Sequence, residues 1–250
     1  MAKLVWDQDG QRFYETGIDH GVLYKYDTWV PQGETEPVTG YMDGVAWSGL
    51  TSVSETPEGG EANDIYADNI KYLTLMSAEN LNLSIEAYTY PDEFMECDGT
   101  YQPVKGMRLH QQRRKKFGFA FRSRIGNDTE GDSLGYKIHV IYNCLASPSD
   151  AQYQTVNESP EANTFSWEAS TTPIEVGSIN GVEYRPTSRI VIDSREFNTE
   201  TLKGYLKTLE DYLFGRDADS EASPAVKELK PTLLMPAQIY SILTTGSLTA

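Results

Sequence analysis

Cysteine is nearly absent. Cys97 and Cys144 are the only two in 250 residues, too few for a disulfide scaffold and without the C-x-x-C neighbour that would suggest zinc. They read as small buried apolar side chains in a reduced chain. Histidine is scarce too: His20, His110 and His139 stand far apart with no ligand spacing, and each reads as a surface or hydrogen-bonded imidazole. The chain lacks G-x-x-x-x-G-K-[ST], G-x-G-x-x-G after a strand, and G-x-S-x-G, so nucleotide-binding and hydrolase chemistries lose their usual marks. A long hydrophobic run is missing as well. Residues 231–250 carry no charge, but Pro231, Pro236 and many Ser and Thr interrupt them, whereas a spanning helix needs about 20 predominantly apolar residues. No membrane insertion is expected. Residues 1–10 also lack the basic-then-apolar pattern of a secretion signal.

Positive charge is in short supply, 21 Lys and Arg against 37 Asp and Glu, for a net charge of −16. That balance argues against a protein that clamps duplex DNA or lies on an anionic membrane. It favours solubility and repulsion of other anions. The bases are also unevenly spread. Seven of them, Arg108, Arg113, Arg114, Lys115, Lys116, Arg122 and Arg124, fall in one window that holds no acid, leaving 37 acids against 14 bases, or −23, elsewhere. Such a segment is a nucleic-acid patch, a self-complementary surface that meets the acidic body of another copy, or a solvated strand that blocks edge aggregation. The acidic stretches at 7–10 and 127–132 both fail the EF-hand template, which leaves turn chemistry as their reading. Asp92, Glu93 and Glu96 have no facing carboxylate to complete a glycosidase pair. Neither catalysis, metal nor cofactor is expected.

What is present is β-pattern. Apolar residues at 39% and charged residues at 23% fit a globular chain whose length allows one or two domains. Tyr outnumbers Phe 16 to 8, which suits half-buried sheet surfaces and interfaces. Period-two alternation runs through residues 81–87, 117–121, 136–142 and 165–169, begins again at Val45 and Trp47, and a β-branched run covers 189–192. Each run puts one face on a core and the other towards water or a partner. Asn180-Gly181 predicts a tight hairpin, residues 126–135 a hairpin with an extended tip, and Thr56 to Glu61 a flexible loop. A single helix is predicted over about 199–214, from the stripe Leu202, Tyr205, Leu206, Leu209, Tyr212 and Leu213, with Asn198 as its N-cap and Gly215 as its stop. Pro91 to Glu96 suits one short turn. Residues 216–224 read as a polar linker leading to an arm anchored by Leu233, Leu234, Ile239 and Ile242. The expected fold is a mainly β sandwich or barrel with one flanking helix. A single domain spans 1–215, including an N-terminal segment of about 1–40, and the linker and C-terminal arm occupy 216–250.

Several strings, taken together and in order, carry a resemblance. They are the residues at 14–24 (YETGIDHGVLY), 45–51 (VAWSGLT), 66–72 (YADNIKY), 86–94 (EAYTYPDEF), 114–118 (RKKFG), 135–139 (GYKIH) and 165–168 (FSWE). Over about residues 5–215 the chain resembles the major tail proteins, or tail tube proteins, of tailed bacteriophages with long non-contractile tails. The resemblance implies a structural, non-enzymatic virion protein made in the bacterial host cytoplasm. It implies hexameric rings of a β-sandwich or barrel with a flanking helix, stacked into a tube whose electronegative lumen conducts DNA without binding it. The implied partners are other copies of the chain and the tape-measure, tail-tip initiator and tail-terminator proteins. On that basis the loop with Glu55, Glu58, Gly59, Gly60, Asp64, Tyr66 and Asp68 is expected to reach a neighbouring subunit, ordering on assembly. The basic segment Arg113, Arg114, Lys115 and Lys116 is expected at a subunit interface, and Glu86 and Glu168 are lumen candidates. Another virion β-sandwich, a tail-tip or decoration protein that binds a receptor, is the competing reading.

Overall fold

The computed structural model describes residues 4–30, 35–149, 155, 162–219 and 226–248. In chain order the strands are β1 (Tyr14–Trp29), β2 (Val38–Tyr41), β3 (Val45–Trp47), β4 (Leu50–Gly59), β5 (Ala62–Ala67), β6 (Ile70–Met76), β7 (Glu79–Ala87), β8 (Tyr101–Val104), β9 (Met107–Leu109), β10 (Phe117–Asn127), β11 (Gly131–Ala146), β12 (Phe165–Thr171), β13 (Ser178–Ile179), β14 (Val182–Glu183) and β15 (Arg189–Asp193). The helices are α1 (Glu200–Phe214) and α2 (Pro236–Thr245). The main sheet is antiparallel, in the order β2-β1-β10-β11-β12-β7-β4, with β3 also on β1 and β15 also on β11. The mainly β sandwich with a flanking helix, expected from the alternation, is therefore the fold found.

The long strand β11 divides the sheet into two layers. Its residues 137–141 pair with β15 and its residues 144–146 pair with β12, so one strand serves both. Between the layers lies one core: Leu23, Phe117, Phe119, Phe121 and Ile141 face Leu83, Ile85, Trp47 and Trp167. Phe94 completes it from a one-turn helix, Asp92–Glu96, as the sequence predicted. On the opposite side of β1, β10 and β11 a second core joins Val22, Tyr24, Ala120, Ile138, Val140 and Tyr142 to Leu206, Leu209 and Leu213 of α1 and to Leu233, Leu234, Ile239 and Ile242.

That second core corrects the reading of two of the alternating strands, β10 and β11. Their other face does not meet water, because the helices cover it. Two tyrosine hydroxyls stand up from the sheet to fix this cover: Tyr24 donates to the Leu213 carbonyl, and Tyr142 to the Leu234 carbonyl at 2.8 Å. Both hydroxyls would otherwise be buried without a partner, which costs more than a hydrogen bond returns. The approach is so close that a Cβ on Gly118 would sit 2.2 Å from Leu233 Cδ2.

Other expectations are corrected in detail. The N-cap of α1 is Thr199, whose hydroxyl accepts from Leu202 N at 3.3 Å, and not Asn198. The arm holds a second helix, α2, packed on α1. Its Pro236 sits at the first position, where no N–H is needed, and its stop is Gly246 at φ 76°. The polar linker folds back on the chain that follows it, bridging Arg216 to Leu229 and Asp219 to Val226. Residues 14–29, assigned above to an N-terminal segment, form a central strand between β2 and β10. The hairpin at 126–135 has no extended tip: its strands run to Asn127 and from Gly131, and Asn127 Oδ1 accepts from the amides of Thr129 and Glu130. The Asn180-Gly181 hairpin forms as expected, with both residues at positive φ (53° and 75°).

Asp19 is the electrostatic hub between the sheet and α1. Arg122 reaches it at 2.8 Å, Arg124 at 3.2 Å and His20 at 2.8 Å, and Arg122 also faces Glu210 of α1 at 3.8 Å. Burial alone would raise the Asp19 pKa; Arg122, His20 and Arg124 outweigh it and bring it down to about 2. A carboxylate with a depressed folded-state pKa contributes stability above its unfolded pKa and loses it as pH falls through the folded one. Screened by the solvent that reaches the site, this contribution is on the order of 1 kcal/mol. Urea unfolding at pH 6 and pH 2.5 is expected to separate wild type from Asp19→Asn by that amount at the higher pH and to narrow the gap at the lower, where the carboxylate begins to take up its proton. Parallel loss in both proteins would remove Asp19 from that role.

Candidate functional site

Three surfaces stand out. The first is an arm. Thr56 to Gly59, expected in a loop, lie in β4 and pair with β7 in the register Thr56↔Asn82, Pro57↔Leu81, Glu58↔Asn80 and Gly59↔Glu79. Beyond that rung the ribbon continues as β5 and β6, which among the described residues pair only with each other and turn at Asp68-Asn69, both at positive φ. The segment expected to be loose until assembled is therefore a formed hairpin. Of its residues, Asp64 holds Lys71 at 2.7 Å and accepts from the Thr74 hydroxyl at 2.7 Å, while Tyr66 is exposed. Gly59 and Gly60 take left-handed conformations at the joint between the two ribbon sections (φ 81° and 70°), which glycine tolerates without strain.

From Gly59 to the tip, nine residues at about 3.3 Å each carry the arm about 30 Å from the sandwich. It contributes nothing to either core. Yet Tyr66, Ile70, Tyr72, Leu75 and Met76 are between 53% and 74% exposed. Exposed apolar side chains gathered on one projecting hairpin mark an interaction site. Sequence reasoning placed residues 55–68 in a loop and so missed β5, and it read no element over β6.

Glu55 stands apart from the rest of that group. It faces inward with Leu83 and Ile85 rather than outward. Its carboxylate pairs with Arg189 of β15 and lies 3.4 Å from His139 Nδ1. His139 is stacked on Phe121 at 4.5 Å and shares a 2.9 Å hydrogen bond with Ser123. Burial lowers its pKa.

The second surface is the outer face of β12, β7 and β4. Cross-strand rows read Ser166, Glu86, Ser52; then Glu168, Ser84, Ser54; then Ser170, Asn82, Thr56; and Glu58 stands beside Asn80. All these side chains point away from the inter-layer core. None is a lysine or arginine, and among the described residues no helix covers them. Glu86 and Glu168 thus share one face, two rungs apart. Among the described residues β4 pairs only with β7, so its other edge, ten residues long, is free.

The third surface is the basic segment. It runs beside a cavity of about 830 Å³ lined by Tyr26, Thr39, Glu96, Tyr101, Arg113, Arg114, Lys115 and Lys116 among others. Lys115 bridges Asp27 and Glu96, the latter at 2.7 Å, and Lys25 approaches Glu96 at 3.2 Å. Burial alone would raise the pKa of Glu96; Lys115 and Lys25 overcome it and hold the carboxyl below its ordinary range, which is the wrong direction for a proton donor. Asp92 is exposed and meets Arg108 at 3.6 Å. Arg122 and Arg124 are taken by Asp19, as above. Arg113 and Lys116, by contrast, have no carboxylate partner among the described residues, and Arg114 Nε is buried with no hydrogen-bond acceptor. Most of the basic window is thus neutralised within the chain by acids far away in sequence, and the unmatched charge concentrates at this cavity.

The remaining candidates have ordinary partners. The acidic stretches at 7–10 and 127–132 meet, with Asp128 accepting from Gly10 N at 3.0 Å and Arg12 at 3.3 Å. His110 pairs with the Thr100 hydroxyl at 3.0 Å. Among the described residues no cluster of three or more His, Cys, Asp or Glu is arranged to hold a metal, and no helix is long and apolar enough to cross a membrane.

No protein-family model and no curated protein matches the chain. Among solved structures, a chain from the cryo-EM structure of the anti-feeding prophage (AFP) baseplate, 6-fold symmetrised, is similar at 10% identity and a TM-score of 0.32, over 71% of this chain and 95% of that one.

Proposed function

We propose that this chain is a structural virion protein that self-assembles into stacked hexameric rings forming a phage tail tube, with an electronegative lumen for DNA passage. The observation that carries the reading is the β12-β7-β4 face. Among the described residues it is a sheet surface left uncovered, built from small hydroxyl and amide side chains with Glu58, Glu86 and Glu168, free of cations, and ending in an unpaired edge. A free edge of that length is a hazard in a monomer and a joint in an assembly. Continued from copy to copy, such a face lines a channel with carboxylates, and phosphates slide past a surface that repels them. The arm and the basic segment supply contacts between copies, and the sequence resemblance supports the same assignment. In this role the protein works with tape-measure, tail-tip initiator and tail-terminator proteins, and it binds DNA nowhere specifically.

Electron microscopy of concentrated purified protein tests the reading. Hollow tubes of uniform width or sixfold rings are expected; isolated monomers or trimers would overturn it. In particles carrying Glu86→Lys and Glu168→Lys, tubes are expected to form while DNA ejection slows at least tenfold. Ejection at the wild-type rate would take both residues out of the lumen.

A further inference from the structure

We infer that the acidic tip of the arm of one copy docks in the basic cavity beside Arg113–Lys116 of another. This rests on the tube reading above and names the contact that the arm makes. The arm from Glu58 to Glu79 carries five carboxylates and a single lysine. Lys71 is already held by Asp64, so Asp68 stands unopposed at the very tip. The cavity has the opposite balance. Its two carboxylates, Asp27 and Glu96, are engaged by Lys115 and Lys25, and Arg114 interacts with Asp98, which leaves Arg113 and Lys116 without a matching anion among the described residues.

Charge is the first argument and form is the second. A two-residue turn is the narrowest end a hairpin has, and a cavity of about 830 Å³ is in the size range that encloses a compact ligand. Tyr26 and Tyr101 on its wall offer ring surface to Tyr66 and Ile70 beside the turn. Arg113 and Lys116 on the same wall present their cationic groups to the incoming carboxylate. Reach is the third argument. The arm extends about 30 Å beyond its own sandwich, and among the described residues β5 and β6 pair with no other strand of the chain. The contact is heterologous: each copy offers one tip and one cavity, so the interaction propagates instead of closing on a pair.

Cross-linking in the full chain tests it. Cys97 and Cys144 are buried, so Asp68→Cys with Arg113→Cys introduces the reactive thiols. After mild oxidation of the assembled double variant, a ladder of dimers, trimers and higher species is expected on a non-reducing gel, and none from either single variant. If that pair fails to assemble, Tyr66→Cys with Lys116→Cys takes its place, with the same ladder expected. Tubes that form without a ladder from either pair would overturn the docking while leaving the tube reading intact. A wild-type chain that never self-associates would overturn both.

Discussion

Replacing residues 60–78 by Asn-Gly is expected to leave a chain that folds normally and assembles not at all. The excised residues supply nothing to either core, and the shortened ribbon closes at the rung Gly59↔Glu79 with a turn suited to hairpins. Unfolding free energy should therefore stay within about 1 kcal/mol of the parent, since shortening a connection costs little and lowers its closure entropy. Assembly loses the exposed apolar side chains of the arm, and sedimentation and electron microscopy should find monomers at concentrations where the parent is expected to form rings or tubes. Tubes from the shortened chain would show that the arm is not an assembly contact.

The second large effect concerns Phe94→Ala. Phe94 is fully buried, with its ring centroid 4.6 Å from Trp47, 5.1 Å from Trp167 and 5.4 Å from Phe117. It comes from a one-turn helix and not from a strand, so the sheet cannot shift to refill its place. Phe→Ala at such sites costs about 3–5 kcal/mol, a large part of the stability of an ordinary domain. Chemical denaturation should give a midpoint far below that of wild type, with tube yield falling alongside. A loss under 1 kcal/mol would mean that the aromatic cluster closes around the gap.

The strands that alternate cleanly were legible in the sequence, and so were α1 and the Asn180-Gly181 hairpin, because each is dictated by local periodicity or turn chemistry. The misreadings have physical causes. Thr56-Pro57-Glu58-Gly59 looks like a turn, and it is a strand only because β7 pairs with it. Residues 137 and 139 are polar, which hid the fact that β11 is buried on both sides; Lys137 reaches out to Glu15, and His139 is stacked and hydrogen-bonded. In α2 the apolar stripe is thin, Ile239 and Ile242 among Ser and Thr, and the better signals were Pro236 at its start and Gly246 at its end. The lumen candidates Glu86 and Glu168 were legible as polar-face carboxylates, but their common face with Glu58 depends on cross-strand register. The basic segment was legible as charge, yet its partners Asp19, Asp27 and Glu96 come from other parts of the chain, a property of topology that composition does not carry.

The cover over Gly118, finally, has a consequence for biosynthesis. A chain is made from its N-terminus, and β1, β10 and β11 are complete long before Leu233, Leu234 and α2 exist. Until those residues arrive, the side of the sheet that carries Val22, Tyr24, Val140 and Tyr142 lacks part of its apolar cover, and the Tyr142 hydroxyl lacks its acceptor. The nascent protein thus passes through a stage in which a wide apolar sheet surface is open to other nascent chains, the condition under which large β proteins misassemble. Arrival of residues 233–242 ends that stage, which makes this short stretch the step that completes the apolar cover of the sheet.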